Sequence, residues 1–431
     1  MSTWPFLPKG RRLDTGKDTQ FSDAWIVLGL LLTLLGLALD HTFLTMAAVF
    51  LFVVVGSSWL WAAASLNGLH YRRRFSEERA FQGETVTLTL ELHNRHWLPL
   101  PWIAVRDRFP PELPVAQVEL DYNPTTHQAD FNTFWSLGPY RQAVRQFTVQ
   151  CSRRGFHRYG PAVATTGDGF GFFNRRGLVA GEQRLIVYPR LYPAQALRLP
   201  TKNPFGAVRT ANPLFEDPLR TAGTREWQSG DSLRRVHWKA TARLQQMQSR
   251  VYEPAEEPLV IFFLNVTTLP RHWHGYIPEL QERTISVAAS LAALADQERL
   301  ATGLVANGAL PGSDQPIRVP ASRNPNQLTL LLEMLAAVTP FATQPIEQLL
   351  MEQARQLPWG AILAVVTAVV HDELLITLQE LAAAGRRLVL FTLAAEPPRT
   401  LLPGVDIYHL PHLVEDWVAP VRVDLATESR P

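Results

Sequence analysis

Apolar residues follow one another almost without a break across residues 21–65, the main interruption being Asp40–His41. A single helix over that distance would be about 65–70 Å long at 1.5 Å per residue, roughly twice the hydrocarbon thickness of a bilayer. It would also hold Asp40 near the bilayer centre, at a cost of about 3 kcal/mol or more. Two crossings remove both problems. The pattern therefore predicts a transmembrane helix hairpin over residues 21–66, with spans near 21–39 and 42–65 and a tight turn at Asp40–His41. Gly29, Thr33 and Gly36 give the first span a small-residue surface for packing against the second. A cleaved signal peptide fits poorly, because the apolar region is too long, begins late and runs on into a second span. Lys9, Arg11, Arg12 and Lys17 precede the hairpin and Arg72, Arg73 and Arg74 follow it. By the positive-inside rule, both ends and the bulk of the chain belong in the cytoplasm. Apart from the turn, and Asp23 at the near edge, the spans lack ionisable residues, which predicts an anchor rather than a proton path.

Beyond the hairpin the period changes to two. ETVTLTLELHN, residues 84–94, places Val86, Leu88, Leu90 and Leu92 on one face, the pattern of a half-buried antiparallel strand. Further strands are predicted at 102–109, 115–122, 130–135, 143–151 and 185–189. Short strands at this spacing predict a two-sheet sandwich of immunoglobulin type over residues 75–190. His93, His96 and His127 share no catalytic spacing and read as surface residues. Residues 166–177, TGDGFGFFNRRG, contain four glycines but neither a Walker spacing nor a strand–GxGxxG–helix setting. They predict a sharp reversal over packed phenylalanines, with Arg175 and Arg176 on a solvated turn or against a lipid headgroup. Residues 191–223 read as a linker, rich in proline and without a clear period.

From residue 258 the alternation is β–α–β, which predicts a doubly wound, largely parallel α/β domain to about residue 420, followed by a tail, 421–431. Strands are predicted at 259–264, 302–306, 361–366, 387–392 and 406–410. Helices are predicted at 277–299, 326–338, 346–356 and 372–384.

Length and charge narrow the options. A chain of 431 residues accommodates two or three domains, and a net charge of +2 supplies no global field for nucleic acid. The single cysteine, Cys151, excludes an intramolecular disulfide framework and a cysteine-based zinc site. Its phase with the apolar face of its strand predicts an inert core thiol rather than a partner for His157.

The densest chemistry lies in residues 224–257. Ser229–Gly230–Asp231 reads as a turn opening a helix over 232–244, with Asp231 as its cap. Leu233, Val236, Ala240 and Leu244 then form an apolar stripe with His237 at its edge, while Arg234, Arg235, Trp238 and Lys239 lie opposite and Arg243 near the border. From Met247 to Tyr252 the alternation predicts a strand. The stripe is expected to dock on a neighbouring domain, and the basic face either to pair with carboxylates such as Glu226, Asp231 and Glu253 or to meet an acidic partner.

GDSLRRVHWKATAR, with Arg225 before it and Arg250 and Tyr252 after it, resembles the signature of the domain of unknown function 58 family. The twin apolar spans, RRGFHRYGPA, GDGFGFFNRRG and LIVYPRLYP extend the resemblance over roughly the whole chain. It implies a bacterial inner-membrane protein working with a MoxR-type AAA+ ATPase, and a C-terminal domain similar to the von Willebrand factor A fold. In metal-binding members of that fold, Asp-x-Ser-x-Ser after the first strand holds Mg²⁺. Here the stretch is Asn265, Val266, Thr267, Thr268 and Leu269, which has lost the carboxylate and a hydroxyl, so no metal or other cofactor is expected. The leading expectation is a non-enzymatic adaptor or scaffold whose two soluble modules are joined through Arg225, Gly230, Asp231, Arg234, Arg235, His237, Trp238, Lys239, Arg243 and Arg250. Alternatives are a hydrolase using Asp231 and His237 as an acid–base pair, and an anionic-lipid-binding module using the basic helix. Nucleic-acid binding is not expected, since Trp238 alone interrupts the basic residues.

Overall fold

The computed structural model describes residues 22–39, 42–116, 118, 120–124, 128–199, 216–229, 231–254, 259–269, 275–398 and 402–414. The turn expected at Asp40–His41, His127, Gly230, both terminal tails and residues 200–215 lie outside them. The chain divides into two compact units, Met1–Tyr188 and Pro189–Pro431.

The first unit opens with two apolar helices, α1 (Ser22–Ala38) and α2 (Thr42–Ala64), packed antiparallel. Among the described residues α2 is the helix long and apolar enough to cross a membrane; the 17 residues of α1 fall short of that length. Contact is close because small residues allow it. A methyl group on Gly29 would meet the Phe52 ring at 3.3 Å, and one on Gly36 would meet Thr45 at 2.9 Å. The remaining faces stay apolar and uncovered, with Leu31, Leu34, Phe43, Phe50 and Val53 all more than half exposed.

Among the described residues eleven strands follow: β1 (Leu69–Phe75), β2 (Arg79–Phe81), β3 (Thr85–Asn94), β4 (Leu100–Phe109), β5 (Asp121–Asn123), β6 (Gln128–Leu137), β7 (Gln142–Gln150), β8 (Gly155–Tyr159), β9 (Ala162–Gly167), β10 (Asn174–Ala180) and β11 (Gln183–Tyr188). They form sheets ordered β1-β3-β7, β10-β9-β4-β6-β5 and β2-β11-β8. Leu88, Leu90 and Leu92 of β3 share one buried core with Ile103, Val105, Phe131 and Trp135 from the five-stranded sheet, so the module is a β-sandwich. The expected strand over 115–122 is reduced to the three-residue β5 and a bridge at Val115, since Pro110, Pro111 and Pro114 remove donors from the chain just before it. Cys151 is fully buried in the core, and burial pushes its thiol up to about 11.

Three features differ from expectation. The sandwich begins at Leu69, before residue 75, and Arg73 points into it. Arg73 Nη1 donates to Asp107 Oδ1 at 2.6 Å, Arg73 Nη2 donates to the Gly181 carbonyl, and the Tyr71 hydroxyl donates to Asp107 Oδ2 at 2.9 Å. Gly160, at φ +92°, leaves the room, since a methyl group there would lie 2.6 Å from the guanidinium. Burial pushes Asp107 up to about 6, against the opposing pull of Arg73 and of the Tyr71 hydroxyl. Secondly, His96 is not a free surface residue. Its Nδ1 accepts the Leu98 N–H at 3.2 Å, so Nε2 carries the proton and donates to the Ser65 carbonyl at 3.2 Å, just past the end of α2. Thirdly, half of the glycine-rich stretch is strand: β9 and β10 pair antiparallel and residues 168–173 form the turn.

The second unit begins where a linker was expected, yet residues 191–199 are tied down. Ser290 accepts the Tyr192 N–H at 2.8 Å, His412 Nε2 contacts the Ala196 carbonyl at 2.7 Å, and Leu197 is fully buried. After the signature segment comes a six-stranded sheet: β14 (Leu259–Leu264), β15 (Ala301–Ala309), β16 (Pro316–Ser322), β17 (Ile362–Thr367), β18 (Arg387–Thr392) and β19 (Val405–His409), ordered β16-β15-β14-β17-β18-β19. All neighbours are parallel except β16, an antiparallel edge strand that the sequence reading missed. Its prolines fit an edge, where unpaired donors cost nothing. Helices α4 (Pro278–Gln297) and α5 (Gln327–Ala337) pack together, as do α6 (Ile346–Ala354) and α7 (Asp372–Ala383). The second pair covers Ile261, Phe263, Leu363 and Leu390, while α4 buries Ile285, Ala288 and Ala292 and packs on β14, β15 and β17. The sheet is doubly wound.

Candidate functional site

The signature segment is a β-hairpin with a helical insert. Strands β12 (Glu216–Glu226) and β13 (Gln248–Pro254) pair antiparallel, with Glu226 opposite Gln248 and Arg225 opposite Ser249. Between them the expected continuous helix is broken. A 3-10 turn covers Leu233–Arg235, and α3 covers only Trp238–Leu244. The break has a clear cause. Val236 is extended, at ψ 129°, and bridges Ser249, while the His237 N–H donates to the Gln248 carbonyl at 2.8 Å. Backbone pairing with β13 outcompetes two residues of helix.

His237 is the helix cap. Its Nδ1 accepts the Ala240 N–H at 3.0 Å, which leaves the ring proton on Nε2. Asp231, expected to cap, instead receives Arg225 in a two-pronged pair at 2.6 and 2.8 Å, together with the Gln228 N–H at 3.0 Å. Ser232 takes over the capping, accepting the Arg234 N–H at 3.4 Å. Both oxygens of Asp231 are thus engaged by Arg225, and His237 Nδ1 by its own helix, so neither role draws the two residues into one acid–base pair.

The Arg225 hydrogen bonds, then the Gln228 N–H, hold the Asp231 carboxyl below its ordinary range. A depressed carboxylate stabilises the fold above its unfolded value, and that contribution is lost as pH falls through the folded value. Wild type should therefore melt above Arg225→Gln at neutral pH, and the two melting curves should converge on acidification. A gap unchanged at acid pH would assign the arginine a packing role instead.

The apolar stripe is largely uncovered by its own unit. Within the described residues only Val236 is buried; Leu233 is 67% exposed, Trp238 67%, Leu244 57% and Met247 40%. Arg234, Lys239 and Arg243 are also exposed on this insert, and Arg235 is half-buried. Beneath the surface, Trp227 Nε1, Ser249 Oγ and Arg250 Nε are buried without partners among the described residues. The segment thus presents three large apolar side chains of the insert, and Met247 after it, among fixed positive charges.

The second candidate is the crevice at the carboxyl ends of β14 and β17, where chain direction across the sheet reverses and where ligands commonly sit in this fold class. Here a neutral network spans it. Asn265 Nδ2 donates to Thr367 Oγ1 at 3.0 Å, Asn307 Nδ2 donates to Asn265 Oδ1 at 2.9 Å, and Asn307 Oδ1 accepts the Val266 N–H at 2.8 Å. The Thr267 N–H donates to Asn265 Oδ1 at 3.1 Å, and Thr268 Oγ1 accepts the Ile277 N–H at 2.8 Å. Asn265, Thr268, Asn307 and Thr367 are all buried. Asn307 and Thr367 escaped the sequence reading; their signal is only that each polar residue sits in or at the end of an otherwise apolar strand.

The chain thus joins a membrane-length apolar helix and a β-sandwich to a doubly wound α/β sheet preceded by a hairpin with a helical insert. Residues 223–428 match the family described as "Protein of unknown function DUF58". The chain is 21% identical over 233 residues to "Uncharacterized protein YeaD" of Bacillus subtilis (strain 168), a match covering 54% of each protein, so it spans about half the length of the curated relative. Both findings support the DUF58 family. Among solved structures, the CARDB domain of the PF1109 protein from Pyrococcus furiosus is 15% identical, covering 28% of this chain and 91% of that one, at a TM-score of 0.19. A cohesin module from a Clostridium perfringens family 33 glycoside hydrolase is 12% identical, covering 28% of this chain and 96% of that one, at a TM-score of 0.21.

Proposed function

We propose that this protein is a membrane-anchored adaptor without enzymatic activity. Two spans hold an immunoglobulin-like sandwich and a von Willebrand factor A-like domain on the cytoplasmic side, where they work with a MoxR-type AAA+ ATPase in assembling or maturing other proteins. The observation that carries this reading is the signature surface: Leu233, Trp238 and Leu244 exposed on a hairpin insert beside Arg234, Lys239 and Arg243. An exposed tryptophan among arginines has the composition of a binding hot spot, and the leucines beside it add apolar area that excludes water. The exposed apolar faces of α1 and α2 support two crossings, and the basic residues on either side of them support a cytoplasmic location. The sheet order, with its single antiparallel edge strand, supports the von Willebrand factor A-like assignment.

Crosslinking in intact membranes, pull-down and mass spectrometry test the proposal. Wild type should recover the ATPase, and Trp238→Ala with Leu244→Ala should lose at least about tenfold of that recovery at an unchanged melting temperature. Full recovery by the double variant would discard this surface, and turnover of a small molecule abolished by His237→Ala would discard the adaptor reading.

A further inference from the structure

The turn between β9 and β10 lies directly against α2. Phe173, 5% exposed, packs with Val55 and Ala62, and Phe172 and Leu51 join the same cluster. The level of this contact along α2 can be read from the helix pair. Gly29 faces Phe52 and Gly36 faces Thr45, and the same antiparallel register carried back brings Ser22, where α1 starts, level with Trp59. Among the described residues only α2 continues below that level, so their apolar pair ends near Trp59, which is 54% exposed and suited to a bilayer interface. Val55 and Leu51 are then about 6 and 12 Å inside that edge at 1.5 Å per residue. The phenylalanines share a cluster with these residues and with Ala62, about 4–5 Å outside the same edge, so they straddle the level of Trp59.

The turn is built for such a place. In hydrocarbon every backbone donor needs a partner within the protein. The Asp168 carboxylate, 1% exposed, accepts the N–H groups of Phe170, Phe172 and Phe173 at 3.1, 3.3 and 2.8 Å. Phe170, at the tip, is 72% exposed, with its ring 6.1 Å from that of Phe172, which belongs to the α2 cluster. Arg175 and Arg176, both exposed, follow on β10, about 7–10 Å beyond Phe173 at 3.3 Å per residue. That is the spacing between acyl chains and phosphates. The sandwich is tied to the end of α2 by the His96 contact to Ser65 and by Leu66, which would lie 2.9 Å from a methyl group on Gly177.

We propose that the 168–173 turn is a second membrane anchor, with Phe170 inserted among the acyl chains of the leaflet that α2 leaves and Arg175 and Arg176 against lipid phosphates. It rests on the membrane reading above and fixes the orientation of the sandwich on the bilayer. The occupant is lipid because the exposed Phe170 ring packs on Phe172, which in turn packs on the membrane-length helix.

Bimane labels on cysteines in the full-length protein test it, after reconstitution into phosphatidylcholine–phosphatidylglycerol vesicles containing lipids brominated high or deep in the acyl chain. Cys151 is fully buried and can stay. Phe50→Cys reports the span, Phe170→Cys the turn, and Glu182→Cys the opposite end of β10. The proposal expects loss of Phe170-site fluorescence with high bromines, loss at the Phe50 site with deep ones, and none at Glu182. Quenching at the Phe50 site with none at Phe170 would overturn the second anchor and leave the membrane reading standing. Quenching at neither would remove both. Equal quenching at the Phe170 and Glu182 sites would also overturn it, because the module would then lie flat.

Discussion

Asp107→Ala is expected to lower the stability of the sandwich by about 3–5 kcal/mol, the cost of removing one partner from a buried ion pair. Arg73 is 6% exposed and Asp107 fully buried, so the variant strands a guanidinium under β4 with only the Gly181 carbonyl to meet it. The Tyr71 hydroxyl loses its acceptor as well. Urea unfolding of the full chain in detergent, followed by tryptophan fluorescence, reads the loss as an early transition of the module containing Trp135. Removing the whole network together, by Arg73→Met, Asp107→Leu and Tyr71→Phe, should recover most of it, since no charge is then left unpaired. The pH profile carries a separate mark. Burial raises Asp107 from 3.8 to about 6, so the folded state holds the proton more tightly than the unfolded chain does. Its contribution is complete below the unfolded value and is lost as pH rises through about 6; Asp107→Asn should flatten that part of the curve. A midpoint shift worth less than about 1 kcal/mol would show that water reaches Arg73.

The same network marks where sequence reading ends. Arg72, Arg73 and Arg74 read as charges flanking a span, yet Leu69, Tyr71 and Arg73 alternate inward along β1, and only a partner 34 residues away makes that tolerable. Strands with a strong period were legible: β3, with four leucine and valine residues on one face, and the central α/β strands, apolar on both. Strands β8 and β10 were not, since glycine and arginine break their alternation, and β9 was not, since its inward positions Ala162 and Ala164 are small while Val163 is only half-buried. In the signature segment the 3.6-residue period was present but lost to a tertiary constraint, the pairing of His237 with Gln248. Local periodicity records what a stretch would do alone, and that hairpin does not leave it alone. The degenerate positions Asn265, Thr267 and Thr268 were legible, but Asn307 and Thr367, which lock Asn265 in place, become neighbours only when the strands line up.

Asp168→Ala should cost about 2–4 kcal/mol and release the 168–173 turn. A carboxylate accepting backbone N–H groups makes bonds worth roughly 1.5–3 kcal/mol each, but the three here do not count equally. The Phe173 N–H bond is the shortest and Phe173 is buried, whereas Phe170 is exposed and Phe172 half-buried with longer bonds, so the Phe173 bond carries the largest share. Asp168→Asn keeps one acceptor oxygen and should fall between wild type and alanine. Hydrogen exchange of the turn amides separates this from a general loss of stability. Residues 170, 172 and 173 should exchange much faster in Asp168→Ala, while the paired amides of β4 and β6 keep their protection. If the turn amides exchanged at the wild-type rate, the carboxylate would be replaceable, and α2 would be what shapes the turn through Phe173.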